Sequence, residues 1–109
     1  ASDVYKRQRP DRLKHMHGAA KTWVQWSGSG VNESYNTTGV TEDSTGVHTW
    51  TITTAFGHTN WALVGATVTG IDRNLIGGDP GTGSVSVETF AQGGSNVTTG
   101  WAAAGYGEQ

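Results

Sequence analysis

A chain of 109 residues with 34% hydrophobic content and seventeen glycines has room for one domain with a thin core, a shortfall that points toward added burial in an oligomer. Without cysteine it can form neither disulfides nor thiolate metal sites, and no apolar run approaches the ~20 residues of a membrane-spanning helix. The formal net charge of −2 hides two blocks: residues 1–20 carry five Lys or Arg against two Asp, whereas residues 21–109 carry two against seven Asp or Glu, too acidic a part for binding nucleic acid.

Residues 1–16 show neither strand alternation nor a helical period, and no apolar stretch of the secretory-signal kind. They could be a basic arm for an acidic partner. The segment Asp3-Val4-Tyr5-Lys6-Arg7-Gln8, however, resembles a peptide met at the ends of translated metagenomic contigs, where sequencing adapter is read as protein. Residues 1–18 are therefore expected to be a disordered or non-native lead, with a β domain over 19–109 and the whole chain a C-terminal fragment of a longer protein. His15 and His17 would share one side of an extended strand. In a symmetric trimer they could bring six imidazoles around an axial metal. The pair occurs once and has no further protein ligand nearby, so two solvated histidines are the expectation, with no metal and no cofactor.

From Thr22 the pattern changes. Residues 22–26 read as a strand, with Trp23 on one face and Val24 and Trp26 on the other. Ser27-Gly28-Ser29-Gly30 reads as a turn, and residues 31–36 resume extended structure. Residues 37–41 then lead into Glu42-Asp43-Ser44-Thr45-Gly46, a polar stretch suited to a hairpin connection. Residues 47–54 give the clearest strand: His48, Trp50, Ile52 and Thr54 on one face, Val47, Thr49, Thr51 and Thr53 on the other. An apolar face opposite a threonine ladder implies a half-buried antiparallel strand.

After a turn at Gly57-His58-Thr59, residues 60–68 read as a strand with Ala62, Val64, Ala66 and Val68 on one face and Trp61, Leu63 and Gly65 on the other. Both faces being apolar, it is expected to be central or to lie at a subunit interface. Residues 70–83 form the longest irregular stretch, with Ile71, Leu75 and Ile76 as weak apolar anchors. Residues 84–90 alternate again through Val85 and Val87, Gln92-Gly93-Gly94-Ser95-Asn96 is a turn, and Trp101-Ala102-Ala103-Ala104-Gly105-Tyr106 is a small-residue strand that admits close backbone approach. The sum is an all-β chain, a small antiparallel β-sandwich or meander of six or seven short strands.

Chemistry is sparse. His48 and His58 flank a strand and its turn and read as half-buried or loop-tip residues rather than a metal site or general base. Asp43, Asp72 and Asp79 are scattered in loops, and paired-carboxylate chemistry needs two carboxyls held roughly 5–10 Å apart. No Gly-x-Ser-x-Gly elbow occurs, and Gly28-Ser29-Gly30 lacks the lysine and helix of a phosphate loop. Enzymatic activity is not expected. Five tryptophans are many for this length. Trp26 and Trp50 are expected in the core, each burying roughly 150–250 Å². Trp61 and Trp101 could be core, interface or a platform for a sugar ring, and in the last case the chain would be a carbohydrate-binding module.

The order of these words resembles a module of bacteriophage tail fibres. Lys21, Trp23, Val24, Trp26 and Gly28 fit its Lys-x-Trp-Val-x-Phe-x-Gly opening; Ser34, Tyr35, Asn36 and Val40 fit a Ser-Phe/Tyr-Asn-Val piece. Thr45, Gly46, Thr49, Ile52, Thr54, Ala55 and Phe56 fit the third piece, and Asn60, Trp61 and Val64 the fourth. Val85-Ser86-Val87 and Trp101-Ala102-Ala103-Ala104-Gly105 are similar to its closing strands. The resemblance covers roughly residues 20–107 and is made of many weakly specific words. It departs at Trp26, where Phe is usual, at His48, where Tyr is usual, and in the glycine-rich 77–83 insertion. It implies a virion structural protein, located in the tail fibre. Such a module forms a homotrimer, continues upstream into other fibre segments and takes part in attachment to a host-surface glycan or protein. It implies no catalytic residue, no cofactor, no nucleic-acid partner and no membrane insertion.

Overall fold

A computed structural model describes residues 18–68, 73–78 and 80–109. The chain is all-β, with two antiparallel four-stranded sheets packed face to face and no helix among the described residues. The strands are β1 (Ala20–Trp26), β2 (Val31–Tyr35), β3 (Thr37–Ser44), β4 (Val47–Ile52), β5 (Ala62–Thr67), β6 (Arg73–Gly77), β7 (Ser84–Ala91) and β8 (Trp101–Tyr106). Sheet I runs β2-β1-β8-β5 and sheet II runs β3-β4-β7-β6.

Side-chain alternation decides which face of each strand turns inward. In β1, Thr22, Val24 and Trp26 are buried while Trp23 is exposed. Their cross-strand partners on β8 are Gly105, Ala103 and Trp101. In β4, His48, Trp50 and Ile52 are buried, and their β7 neighbours Val87 and Val85 face the same way. The expected faces of both strands are therefore the observed ones. The core is Val24, Trp26, Trp50, Ile52, Phe56, Trp61, Val85, Val87, Trp101 and Ala103, with Val40, Leu63 and Leu75 packed against its edge.

The crossing from sheet I to sheet II occurs at Asn36, which adopts a left-handed φ of 52°. Asparagine tolerates that conformation better than most residues because its short amide can bond locally. Here the amide nitrogen donates to Lys21 O at 2.9 Å and to Thr54 O at 3.1 Å, and the amide oxygen accepts from Thr54 N–H at 2.7 Å. One side chain thus ties β1, the β2–β3 corner and the end of β4 together. β4 ends at Ile52, two residues before the end expected from sequence, and the N–H groups of Thr53 and Thr54 donate to Asn36.

Four expectations change. Among the described residues there are eight strands rather than six or seven. Residues 37–44 form the continuous strand β3, so 42–44 are not a connection; the hairpin turn is confined to the few residues around Thr45 and Gly46. β3 is almost wholly polar, and its strand state comes from pairing with β4 rather than from its own pattern. Within the stretch read as irregular, Arg73–Gly77 forms β6, paired with β7 from Arg73↔Ala91 to Gly77↔Val87. Finally, of the two places expected for β5, the central one is removed: it is an edge strand of sheet I. Gly65 on β5 lets Leu75 of β6 fold across that edge: a Cβ there would lie 2.6 Å from Leu75 Cδ2 and 2.7 Å from Ala102 O.

Candidate interaction surface

The two outer faces of the sandwich differ in chemistry. On sheet II, the outward rows are Thr41–Thr49–Ser86 and Gly39–Thr51–Ser84, with Glu88 flanked by Val47 and an exposed Ile76. This is the threonine ladder read from sequence, and water solvates it well. On sheet I the register places Tyr35, Trp23, Ala104 and Val64 in one row across all four strands. The next row is Glu33, Gln25, Ala102 and Ala66, and the row on the other side brings Ala20, Tyr106 and Ala62 together. Val64 is 60% exposed, Tyr35 46% and Trp23 37%. A shallow groove of about 390 Å³ runs between Trp23 and Val64 over Ala102 and Ala104. Large apolar side chains left together in water mark an interaction surface more often than scattered single ones do.

Two further hollows lie at the ends of the sandwich. One, of about 510 Å³, is lined by Ser27, Ser29, Arg73 and Thr98. Its hydroxyls already serve the fold: Ser27 Oγ accepts from Ser29 N–H and Gly30 N–H, and Thr98 Oγ1 donates to Glu42 Oε2 at 2.8 Å. The other, of about 310 Å³, is lined by His58, Asn60, Tyr106 and Glu108. His58 is exposed in its turn, where its Nδ1 accepts from Asn60 N–H at 3.1 Å.

His48 is fully buried rather than half-buried or at a loop tip. Its ring stands edge-on between Trp26 and Trp101, at centroid distances of 5.3 and 5.6 Å. Glu42 Oε2 lies 3.5 Å from Nε2 and also accepts from Gly46 N–H at 3.3 Å. Burial pushes the imidazole below its ordinary pKa, and the Glu42 carboxylate, with Asp43 more weakly, offsets part of that. The unfolded chain therefore takes up the proton first as pH falls. Stability is complete above the unfolded histidine value of about 6.5 and declines as pH drops from there through the folded value. Urea midpoints are expected to decrease between about pH 7.5 and about pH 5.5; a flat profile over that span would contradict a neutral buried His48.

Trp61 and Trp101 both belong to the core. Trp101 is fully buried, 6.3 Å from Trp50. Trp61 is 5% exposed, stacks on Phe56 at 4.4 Å and donates its Nε1–H to Gly81 O at 2.8 Å. Neither can present an open ring face to a sugar, so the tryptophan-platform reading loses both carriers. Trp26 and Trp50 are buried as expected. Asp43 accepts a hydrogen bond from the Thr49 hydroxyl at 2.6 Å. His15, His17, Asp72 and Asp79 lie outside the described residues. Among the described residues no three His, Asp or Glu side chains come together as metal ligands would, and no helix is long and apolar enough to cross a membrane.

Reading the sequence alone placed Trp23 opposite Val24 and Trp26 but did not join it to Tyr35, Ala104 and Val64. The available signal was the two-sided apolar pattern of β5, whose outward half, Ala62, Val64 and Ala66, completes the surface. No protein-family model, curated protein or solved structure matches this chain.

Proposed function

We propose that this chain is a structural module of a bacteriophage tail fibre, homotrimeric and non-enzymatic, that continues the fibre from segments upstream and contributes to attachment at the host surface. The observation that carries the reading is the contrast between the two outer faces: a mostly Thr/Ser face on sheet II, with Val47 and Ile76 towards one end, and an apolar face of Tyr35, Trp23, Ala104 and Val64 on sheet I. An apolar face of this kind marks an interaction surface, and a fibre built of repeated copies has a use for one. The word order of the fibre resemblance also supports the reading. Its first piece lies on β1 and the following turn, its second on β2 and β3, its third from the β3–β4 turn to Phe56, and its fourth at the start of β5. The acidic main part of the chain carries two basic residues, one of them the buried Lys21, which suits neither nucleic acid nor an anionic membrane as partner. The genomic neighbourhood of the coding sequence tests the proposal. Adjacent tail and baseplate genes are expected; a locus of metabolic or regulatory genes would overturn it.

A further inference from the structure

The apolar face of sheet I has relief as well as chemistry. Trp23, with Tyr35 beside it in register, forms a ridge over β1 and β2. Next to it the β8 residues Ala102 and Ala104 form a floor, with Val64 of β5 as the far wall. Adjacent strands lie about 4.8 Å apart, so the two walls, two strands apart, stand roughly 10 Å from each other. A slot of that width above a floor of methyl groups accepts a flat aromatic ring.

We propose that a second copy of this chain covers this face, the Trp23–Tyr35 ridge of one copy entering the Ala102–Ala104 trough of the next; closure of the chain of contacts at three copies rests on the fibre reading. The occupant follows from charge and shape. Of the outward residues in the rows across sheet I, Glu33 alone is charged. The rest of residues 21–109 carries six Asp or Glu against two Lys or Arg, so copies meet with less like-charge cost on this face than on the others. With Glu33 as its one charge, the face offers little for a highly basic or acidic partner to pair with. The ridge and the trough lie side by side on the same face, so each finds its complement on another copy. Two copies squarely face to face would seat each ridge in the other's trough about a two-fold axis; closure at three copies requires the faces to meet obliquely, so that each ridge engages one neighbour and each trough the other.

Sedimentation equilibrium of the full chain tests the docking, with Ala104→Trp filling the trough, Val64→Arg charging its wall and Thr51→Trp altering the polar face as a control. All three side chains point outward, so circular dichroism melts should remain cooperative. The wild type and Thr51→Trp should sediment as trimers. Ala104→Trp and Val64→Arg should associate at least about tenfold more weakly. A wild type that stays monomeric overturns the oligomeric reading together with the docking. A trimer unaffected by either face variant overturns the docking and leaves the fibre reading standing. Should Ala104→Trp not fold, Val64→Arg alone decides between these outcomes.

Discussion

Replacing Trp50 with alanine is expected to cost about 3–5 kcal/mol of folding stability. Trp50 is fully buried at the centre of sheet II, beside Val40 on β3 and Val85 on β7, and its ring lies 6.3 Å from that of Trp101 across the sandwich. Its Nε1–H donates to Thr37 Oγ1 at 3.0 Å, and that oxygen can in turn donate to Trp23 O or Tyr35 O, so one indole couples β4 to the start of β3 and to sheet I. Alanine removes the packing between sheets and leaves a cavity that a rigid β-scaffold fills poorly. A domain has about 5–15 kcal/mol in total, so the variant should be close to unfolded at ambient temperature. Trp50→Phe should lose less, about 1–2 kcal/mol, because most of the ring contact survives while the hydrogen bond does not. Urea denaturation followed by circular dichroism measures both. A midpoint for Trp50→Ala close to that of the wild type would mean that the inward face of β4 has been assigned to the wrong side.

The second large effect concerns a backbone. Gly46 turns the β3–β4 hairpin with φ +72°. A Cβ there would stand 2.7 Å from Thr89 O, 2.8 Å from Val97 O and 2.9 Å from Val97 N. These are backbone atoms held in a small network: Thr89 N–H donates to Gly46 O at 2.8 Å, Val97 N–H to Thr89 O at 3.1 Å and the Thr89 hydroxyl to Val97 O at 2.6 Å. Neither side can yield without breaking bonds. Gly46→Val combines the left-handed strain of a β-branched residue, about 1–2 kcal/mol, with forced displacement of packed backbone, about 1–3 kcal/mol. A loss of roughly 2–5 kcal/mol is expected. Gly39→Val provides the comparison: it lies on the outer side of β3 with nothing within 4 Å of an added Cβ, so its effect should be within about 0.5 kcal/mol. Equal losses at the two positions would contradict the role assigned to the Gly46 turn.

What could be read from the sequence was local. Period-two alternation in residues 22–26 and 47–52 names the buried face of β1 and β4 without knowledge of any partner strand. The glycine-rich turns at 27–30 and 92–96 were equally legible. β3 was not, because Thr37–Ser44 has a single large apolar side chain, Val40, and owes its strand state to the ladder it forms with β4. β6 was hidden for a similar reason: Arg-Asn-Leu-Ile-Gly carries no clear period and is held by β7. Trp61 was ambiguous because it precedes its strand. Its burial depends on the 57–61 loop laying the indole against Phe56 and Gly81, contacts that sequence spacing does not encode. His48 fell on the correct face, but its complete burial follows from Trp26 and Trp101 closing over it from the opposite sheet. The candidate surface had its parts in plain view, Trp23 outward on β1 and three small apolar residues outward on β5. Their union depended on the Ala102–Ala104 strand pairing between them, a long-range register.

Hydroxyl-radical footprinting of the full chain, read by mass spectrometry at concentrations above and below assembly, tests most directly whether copies meet through sheet I. In the assembled protein Trp23 and Tyr35 should be shielded from oxidation, and should become reactive on dilution to monomers, while His58 in its exposed turn reacts equally in both. Trp23 and Tyr35 oxidised to the same extent in assembled and dissociated protein would contradict the account.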